Sequence, residues 1–179
     1  MKFIQLALVL VSGVFTANAE PTSAISNLDG NGFKAFAKFT RVGDQTEVEL
    51  NFQNLPTVEG QTPYSYHIHE KAVDATGNCT STGYHLDPAG LNPGGKNTAY
   101  KCDPNNKATT CELGDLSGKY GKINPNQKVY KYTDSDLLLN GQNGIIGRSV
   151  VIHLSNSTRI VCANIFPVTE VPSKCGSKY

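Results

Sequence analysis

A two-residue alternation of apolar and polar side chains constrains the fold of this chain more than any other feature. From Phe33 to Thr40, apolar residues occupy every second position and two lysines lie between them. The same alternation returns from Thr46 to Phe52. A period of two places successive side chains on opposite faces of a strand. The pattern therefore predicts half-buried strands joined by a short turn at Gly43-Asp44.

Other short segments have a strand-like composition, and no stretch carries a long 3.6-residue period. The further predicted strands are Tyr64–His69, Gly114–Ile123, Lys128–Thr133, Ser149–Leu154 and Arg159–Ile165. Strands at this spacing indicate an antiparallel sandwich or barrel. The polar residues from Glu20 to Gly32 are predicted to form an irregular lead-in.

The alternation stops between Glu70 and Cys111, a segment rich in glycine, asparagine, proline and threonine. A loop of this length in a compact domain is usually functional or disordered. Cysteines and one histidine within it would tie it down, so we expect an ordered loop.

Residues 1–19 are predicted to be a secretory signal peptide. Lys2 supplies a positive charge, Phe3 to Phe15 is mostly apolar, and Ala17-Asn18-Ala19 is a small-x-small cleavage site. The predicted organisation is a signal peptide at 1–19, one β domain at 20–168 and a polar tail at 169–179. The leader is too short to span a membrane and the tail lacks the apolar run of a lipid-anchor signal, so no membrane span is expected. The mature protein is expected outside the cell or in the cell wall.

Charge excludes one class of partner. Removal of Lys2 with the leader lowers the basic count from 16 to 15, against 15 acidic residues. A net charge near zero argues against a nucleic-acid binder. A monomer is expected.

Five cysteines in a secreted chain predict disulfides. Cys102 and Cys111 bracket eight residues that could turn and let the two pair locally. Cys79 and Cys162 are then free to pair over a long range, and Cys175 is left over. Sequons at Asn78 and Asn156 predict glycosylation sites.

The four histidines of the chain are candidates for one metal site. His67 and His69 lie two residues apart, so in a strand they share a face. His85 and His153 each lie in a stretch that could close the same site. Imidazole suits copper, zinc, iron and nickel.

Five motifs appear in a fixed order along the chain. They are His67-Ile68-His69, Gly83-Tyr84-His85-Leu86-Asp87-Pro88, Gly114-Asp115-Leu116, Gly147-Arg148-Ser149-Val150-Val151-Ile152-His153 and Arg159-Ile160-Val161-Cys162. From about Phe33 to Ile165, this ordered set resembles the copper/zinc superoxide dismutase family. The resemblance implies an all-β Greek-key barrel or sandwich of about eight antiparallel strands with a long disulfide-tethered loop.

The resemblance also implies roles for individual residues. One copper ion per chain would be bound by four ligands: His67, His69, His85 and His153. Arg159 would lie beside the copper and attract superoxide, the substrate. His85 would be the mobile ligand that carries a proton to the product. A Cys79–Cys162 disulfide would pin the long loop to the barrel.

Two departures from the family pattern predict a site without zinc. Glu112 stands where the family has its last zinc histidine, although the aspartate position is kept as Asp115. We expect both carboxylates to support the outer nitrogen of His85, with the Gly-Asp-Leu turn as an alternative duty of Asp115. Only Leu154 to Thr158 separate His153 from Arg159, so the long charged loop of the zinc enzymes is missing.

In both departures the chain is similar to the secreted copper-only superoxide dismutases of fungi and oomycetes. The predicted function is therefore that of a secreted copper-only superoxide dismutase. An extracellular copper-binding or copper-buffering protein is the alternative, but Arg159 disfavours it because storage needs no anion guide. A copper enzyme that oxidises polysaccharides would use an N-terminal histidine ligand, whereas the predicted mature chain begins with Glu20.

Overall fold

The structure, a computed structural model, describes residues 20–168. The predicted signal peptide, the predicted tail and Cys175 lie outside the described residues, and the domain boundaries remain predictions. Within this range, eight strands form two antiparallel sheets. The strands are β1 (Ser23–Gly30), β2 (Phe33–Val42), β3 (Gln45–Asn54), β4 (Ser65–His69), β5 (Val129–Asp134), β6 (Ser149–His153), β7 (Arg159–Asn164) and β8 (Phe166–Pro167).

The larger sheet has the strand order β5-β3-β2-β1-β8. Alternate residues of β2 and β3 face inward and are buried, so the predicted alternation is confirmed. The buried residues are Phe33, Ala35, Ala37 and Phe39 on β2 and Val48, Leu50 and Phe52 on β3. This face forms one wall of the hydrophobic core.

Strand β1 corrects the prediction of an irregular lead-in. Its inward positions are Ala24, Ser26 and Leu28, all of them fully buried. A serine interrupts the apolar alternation, but its hydroxyl donates a hydrogen bond to the Ala163 carbonyl at 3.0 Å and is satisfied. The β1–β2 hairpin turns at Asn31-Gly32, which both have positive φ, as a two-residue hairpin turn of type I′ requires.

The smaller sheet has the order β4-β6-β7. The register of β4 against β6 shows which of its side chains face the core. Tyr66 pairs with Ile152 and Ile68 pairs with Val150, and all four are fully buried in the core between the sheets. The intervening positions of β4, which include both of its histidines, therefore face away from the core. Strand β4 carries the metal candidates on one face and the core on the other.

A second correction concerns the predicted strand at Gly114–Ile123, which is mostly the helix α2 (Leu116–Tyr120). The Asp115 side chain accepts a hydrogen bond from the Gly118 N–H at 2.8 Å and caps the helix. Only Ile123 pairs like a strand residue, in an isolated bridge with Tyr64. The Asp115 cap therefore begins a helix in a segment whose composition predicts a strand.

The long loop is ordered, as expected, and contains two 3₁₀ helices (Cys79–Thr82 and Pro93–Gly95) and the short helix α1 (Lys107–Thr110). A disulfide joins Cys79 to Cys162 on β7, and a second joins Cys102 to Cys111. Behind the loop, α2 is fastened to β5 by an ion pair between Lys119 and Asp134, both buried. None of the helices in residues 20–168 has the length and apolar character needed to cross a membrane.

We predict that the two disulfides differ in their contribution to stability. Their sequence separations are 83 and 9 residues, and chain entropy alone then gives about 4.5 and about 2.5 kcal/mol. Replacing both cysteines of the Cys79–Cys162 pair by serine should therefore lower the free energy of unfolding more than the same change at Cys102–Cys111. Denaturant unfolding of the two double variants measures the difference, and equal losses would contradict the loop-length argument.

Candidate metal centre

Two adjacent strands and the long loop bring the four histidines together. His67 and His69 lie on the outer face of β4, and the pairing of Ser65 with His153 puts the β6 histidine on that same face. His85 enters from the loop through an isolated bridge with His69. One possible ligand atom from each imidazole lies within 4.8 Å of those of the others. Among the described residues, this is the one cluster of three or more potential metal ligands.

Two of the imidazoles have a carbonyl partner that fixes which nitrogen faces the cluster. Nδ1 of His69 lies 3.0 Å from the Gly83 carbonyl oxygen. Nδ1 of His153 lies 3.1 Å from the Ser157 carbonyl oxygen. A carbonyl can only accept, so each Nδ1 carries the proton and each Nε2 keeps a free lone pair. The two Nε2 atoms are 3.2 Å apart, in position to share one ion.

His67 presents the opposite nitrogen. Its Nδ1 is buried and has no hydrogen-bond partner among the described residues. Its Nε2 lies 3.5 Å from an Asp115 carboxylate oxygen. Buried polar atoms are nearly always satisfied, and an ion held by the other three imidazoles would satisfy this one. The orphaned nitrogen is the observation that fits the cluster to a metal.

His85 and Glu112 form the tightest contact in the site. Nδ1 of His85 is hydrogen-bonded to a Glu112 carboxylate oxygen, and Glu112 is 1% exposed. This contact leaves Nε2 of His85 for the cluster. Asp115 caps the start of α2, and one of its carboxylate oxygens lies beside His67.

Gly114 holds these two carboxylates in place from the backbone. Its N–H donates to the Leu86 carbonyl at 2.8 Å, and its carbonyl accepts from the Ile68 N–H at 2.9 Å. It thus joins the strand that carries His67 and His69 to the loop that carries His85. A Cβ atom at this position would lie 2.2 Å from the Ile68 carbonyl oxygen, so the backbone leaves no room for any other residue.

Arg159 opens strand β7 at the edge of the cluster. Its guanidinium donates to the Cys79 carbonyl at 2.7 Å, to the Thr82 hydroxyl at 3.1 Å and to the Gly83 carbonyl. Partial burial lowers the pKa of Arg159, but a guanidinium remains charged at any pH that proteins meet. The structure therefore places one rigid cation beside the imidazoles.

A cavity of about 240 Å³ gives solvent access to the cluster. The four histidines, Glu112 and Arg159 line it, and Tyr84 and Ser157 lie at its rim. Tyr84 is half exposed, so the cavity reaches the surface. An ion held by the imidazoles would be open to a small solute on one side.

Burial keeps His67, His69 and His153 neutral, which is the form that binds a metal. Desolvation, followed by the charges of the neighbouring histidines, lowers the pKa of His67 well below its usual value. Desolvation also lowers the pKa of His69 to about 2 and that of His153 to about 4.

Three residues that support the site were not identified from the sequence: Tyr100, Gly114 and Lys119. Gly114 stood within the Gly-Asp-Leu motif, which could have indicated a close backbone approach. Tyr100 lies in the long loop without any motif around it, and its contacts depend on the path of that loop.

We predict that the metal-free protein loses stability as the pH falls from about 6.5 to about 4. In this window the unfolded chain takes up protons on histidines that the folded chain keeps neutral, so the free energy of unfolding rises with pH. Each such histidine contributes up to ~1.4 kcal/mol per pH unit. Denaturant unfolding of metal-free protein at several pH values measures the slope.

The variant His153→Gln is the control for this slope, because it removes one histidine and leaves the carboxylates unchanged. The slope between pH 4 and 6.5 should fall by about one histidine's share. An unchanged slope would show that folding does not lower the pKa of His153.

Comparison with known proteins identifies a family that matches most of the chain. The family described as copper/zinc superoxide dismutase matches residues 33–164. A relative named cell surface superoxide dismutase [Cu-Zn] 6, from Candida albicans, is 40% identical over 72% of this chain and 39% of its own length. Cell surface Cu-only superoxide dismutase 5 from the same organism is 37% identical over 86% of this chain and 61% of its own length.

Solved structures agree with the sequence comparison. The copper(II) form of Candida albicans superoxide dismutase 5 superposes with a TM-score of 0.68 at 31% identity, over 89% of this chain and all of that one. The chain spans between 39% and 61% of the length of the curated relatives above. The family match, the sandwich fold and the ordered histidine motifs agree, and the chain belongs to the copper/zinc superoxide dismutase family.

Proposed function

We propose that this chain is a secreted copper-only superoxide dismutase, which converts superoxide and protons to oxygen and hydrogen peroxide. The observation that carries the proposal is a solvent-open cavity with four imidazoles at its base and a fixed guanidinium at its edge. Relatives named Cu-only superoxide dismutases, from Candida albicans and Arthroderma benhamiae, support it.

Copper is the metal that this donor set and this reaction both favour. Four neutral imidazoles suit copper and zinc. Superoxide is oxidised in one half of the reaction and reduced in the other, and bound copper would supply this one-electron exchange, which zinc cannot. His69, His85 and His153 would bind through Nε2 and His67 through Nδ1, since these are the nitrogens that their other contacts leave free.

A zinc site of the family type lacks ligands in this chain. Nδ1 of His85 is already bonded to Glu112, and Asp115 faces His67. A tetrahedral zinc site in proteins takes four nitrogen, sulfur or carboxylate ligands, whereas these two carboxylates are each committed to a different histidine. We propose that Glu112 takes over the support of His85 that zinc gives in other members of the family.

Arg159 draws the substrate into the cavity. Superoxide is an anion, and a positive charge in a cleft with low-dielectric walls raises both its local concentration and its rate of entry. The carbonyls of Cys79 and Gly83 hold the guanidinium in one orientation. Only residues 154–158 separate β6 from β7, so no long charged loop shares this work.

His85 is placed to deliver a proton. It is the loop histidine, and its side chain is 26% exposed, whereas that of Glu112 is 2% exposed. Nε2 faces the cavity, where the peroxide product must gain two protons for release. Glu112 holds the proton on Nδ1. Nε2 would therefore be the nitrogen that takes a proton from solvent while it is not bound to the metal, and passes that proton to the product.

We propose an extracellular or cell-wall location and a monomeric state. The relatives are named cell surface enzymes, and both sequon asparagines, Asn78 and Asn156, are exposed in the structure. Glycans at these positions fit a protein that has passed through the secretory pathway.

The first test is metal content and activity in the same sample. After loading with copper and zinc together, elemental analysis should find about one copper and no stoichiometric zinc per chain, and the copper-loaded protein should dismutate superoxide. One tightly held zinc beside copper would contradict the absence of a zinc site. Tightly bound copper without dismutation would favour the copper-buffering alternative.

The second test removes the guide for the anion. We predict that Arg159→Ala keeps its copper and loses roughly tenfold or more in kcat/KM at low ionic strength. The loss should narrow as salt is added, because salt screens the attraction of the wild-type charge. Stopped-flow decay of superoxide at several ionic strengths measures both effects.

Arg159→Lys is the matched control, since it keeps the positive charge but not the planar fork that bonds two carbonyls. It should recover part of the rate. Arg159→Ala with wild-type kinetics at low salt would remove Arg159 from the mechanism.

A further inference from the structure

One hydroxyl in the long loop contacts both segments that support the metal ligands. The Tyr100 hydroxyl donates a hydrogen bond to an Asp115 carboxylate oxygen at 2.8 Å. The Tyr100 hydroxyl oxygen in turn accepts a hydrogen bond from the Glu112 N–H at 3.0 Å. A phenol has one proton to give and lone pairs to receive, so the Tyr100 hydroxyl serves both segments at once, as donor to one and acceptor from the other.

The two partners of this hydroxyl lead to two different histidines. The Glu112 carboxylate bonds Nδ1 of His85, which comes from the loop. The other Asp115 oxygen lies 3.5 Å from Nε2 of His67, which comes from β4. A single phenol thus connects the supports of two metal ligands that arrive from separate parts of the fold.

The surrounding scaffold fixes the backbone, whereas Tyr100 contacts the Asp115 carboxylate directly and the Glu112 segment through its N–H. The Cys102–Cys111 disulfide ties the segment after Tyr100 to the segment before Glu112. Lys119 donates from Nζ to the Leu113 carbonyl at 2.9 Å. Neither of these contacts reaches a carboxylate that touches a histidine.

The protonation state of Tyr100 suits a donor. Partial burial and the nearby Asp115 charge raise the pKa of Tyr100 above its usual value. The phenol therefore keeps its proton throughout the physiological range and donates to Asp115. With two fixed donors, Tyr100 and the Gly118 N–H, the Asp115 carboxylate cannot rotate freely.

We propose that Tyr100 is a positioning residue of the metal centre, which sets the ring orientation and tautomer of His67 and His85 through Asp115 and Glu112. Partners that hydrogen-bond a metal ligand commonly change metal affinity by 10–100-fold when they are removed. The proposal rests on the four histidines forming the centre, and it holds whether or not the loaded protein turns over superoxide.

The test uses Tyr100→Phe, which removes the hydroxyl and keeps the ring. In the metal-free, ¹⁵N-labelled protein at neutral pH, imidazole nitrogen shifts report each tautomer. Wild-type His67 should carry its proton on Nε2 and wild-type His85 on Nδ1. In the variant, His67 should shift toward a mixture of tautomers and His85 should follow, while His69 and His153, held by carbonyls, keep their Nδ1 protons.

Copper affinity gives the second readout. Competition with a chelator should show a loss of roughly tenfold in Tyr100→Phe, the low end for such partners. Tyr120→Phe is the matched control, because its hydroxyl donates to the Thr133 carbonyl at 3.2 Å and has no hydrogen bond to Glu112 or Asp115. It should leave both the tautomers and the affinity unchanged.

A double-variant cycle separates a path through Asp115 from a general effect. If Tyr100 acts on His67 through Asp115, adding Tyr100→Phe to Asp115→Asn should change the His67 tautomer no further. Wild-type tautomers in Tyr100→Phe would overturn the proposal. Equal changes at all four histidines, or a variant unfolded at 25 °C, would also overturn it, since the hydroxyl would then serve the fold in general.

Discussion

The metal centre depends on what holds the outer nitrogen of each imidazole. A histidine can offer a metal either nitrogen, and the hydrogen bond at the other nitrogen decides which one. Backbone carbonyls make this choice for His69 and His153, and the Glu112 carboxylate makes it for His85. At His67, an Asp115 carboxylate oxygen lies 3.5 Å from Nε2. The two classes differ in consequence, because a carbonyl belongs to the rigid backbone whereas a carboxylate needs its own supports. For Asp115 these supports are the Tyr100 hydroxyl and the Gly118 N–H.

The sequence predicted the parts of the fold that follow from local periodicity. Alternation on β2 and β3 is a direct result of one buried and one exposed face, so these strands could be read from residue order alone. Strand β1 was missed because its inward face includes Ser26, which is satisfied by a bond to a residue 137 positions away. Helix α2 was missed because the side chain that begins it, Asp115, also reads as a metal-site residue.

In the candidate site, too, local spacing and motifs predict some residues, whereas the contacts of others depend on the path of the chain in space. The spacing of His67 and His69 predicts a shared face, and the ordered motifs brought in His85, His153 and Arg159. The partner of Asp115 could not be predicted, since it depends on where α2 begins in space. Tyr100 is a stronger case: its two hydrogen bonds span 12 and 15 residues of loop, and no pattern in the sequence encodes that path.

The Gly83 carbonyl accepts from both Nδ1 of His69 and the guanidinium of Arg159. One peptide group therefore sets the separation between a proposed metal ligand and the guanidinium beside it. Gly83 itself has φ of +72°, a backbone conformation that strains any residue with a side chain. The positions of the His69 imidazole and the Arg159 guanidinium are therefore coupled through one carbonyl. A change in this turn that moves one of the two groups also moves the other, so varying them separately requires a redesigned turn.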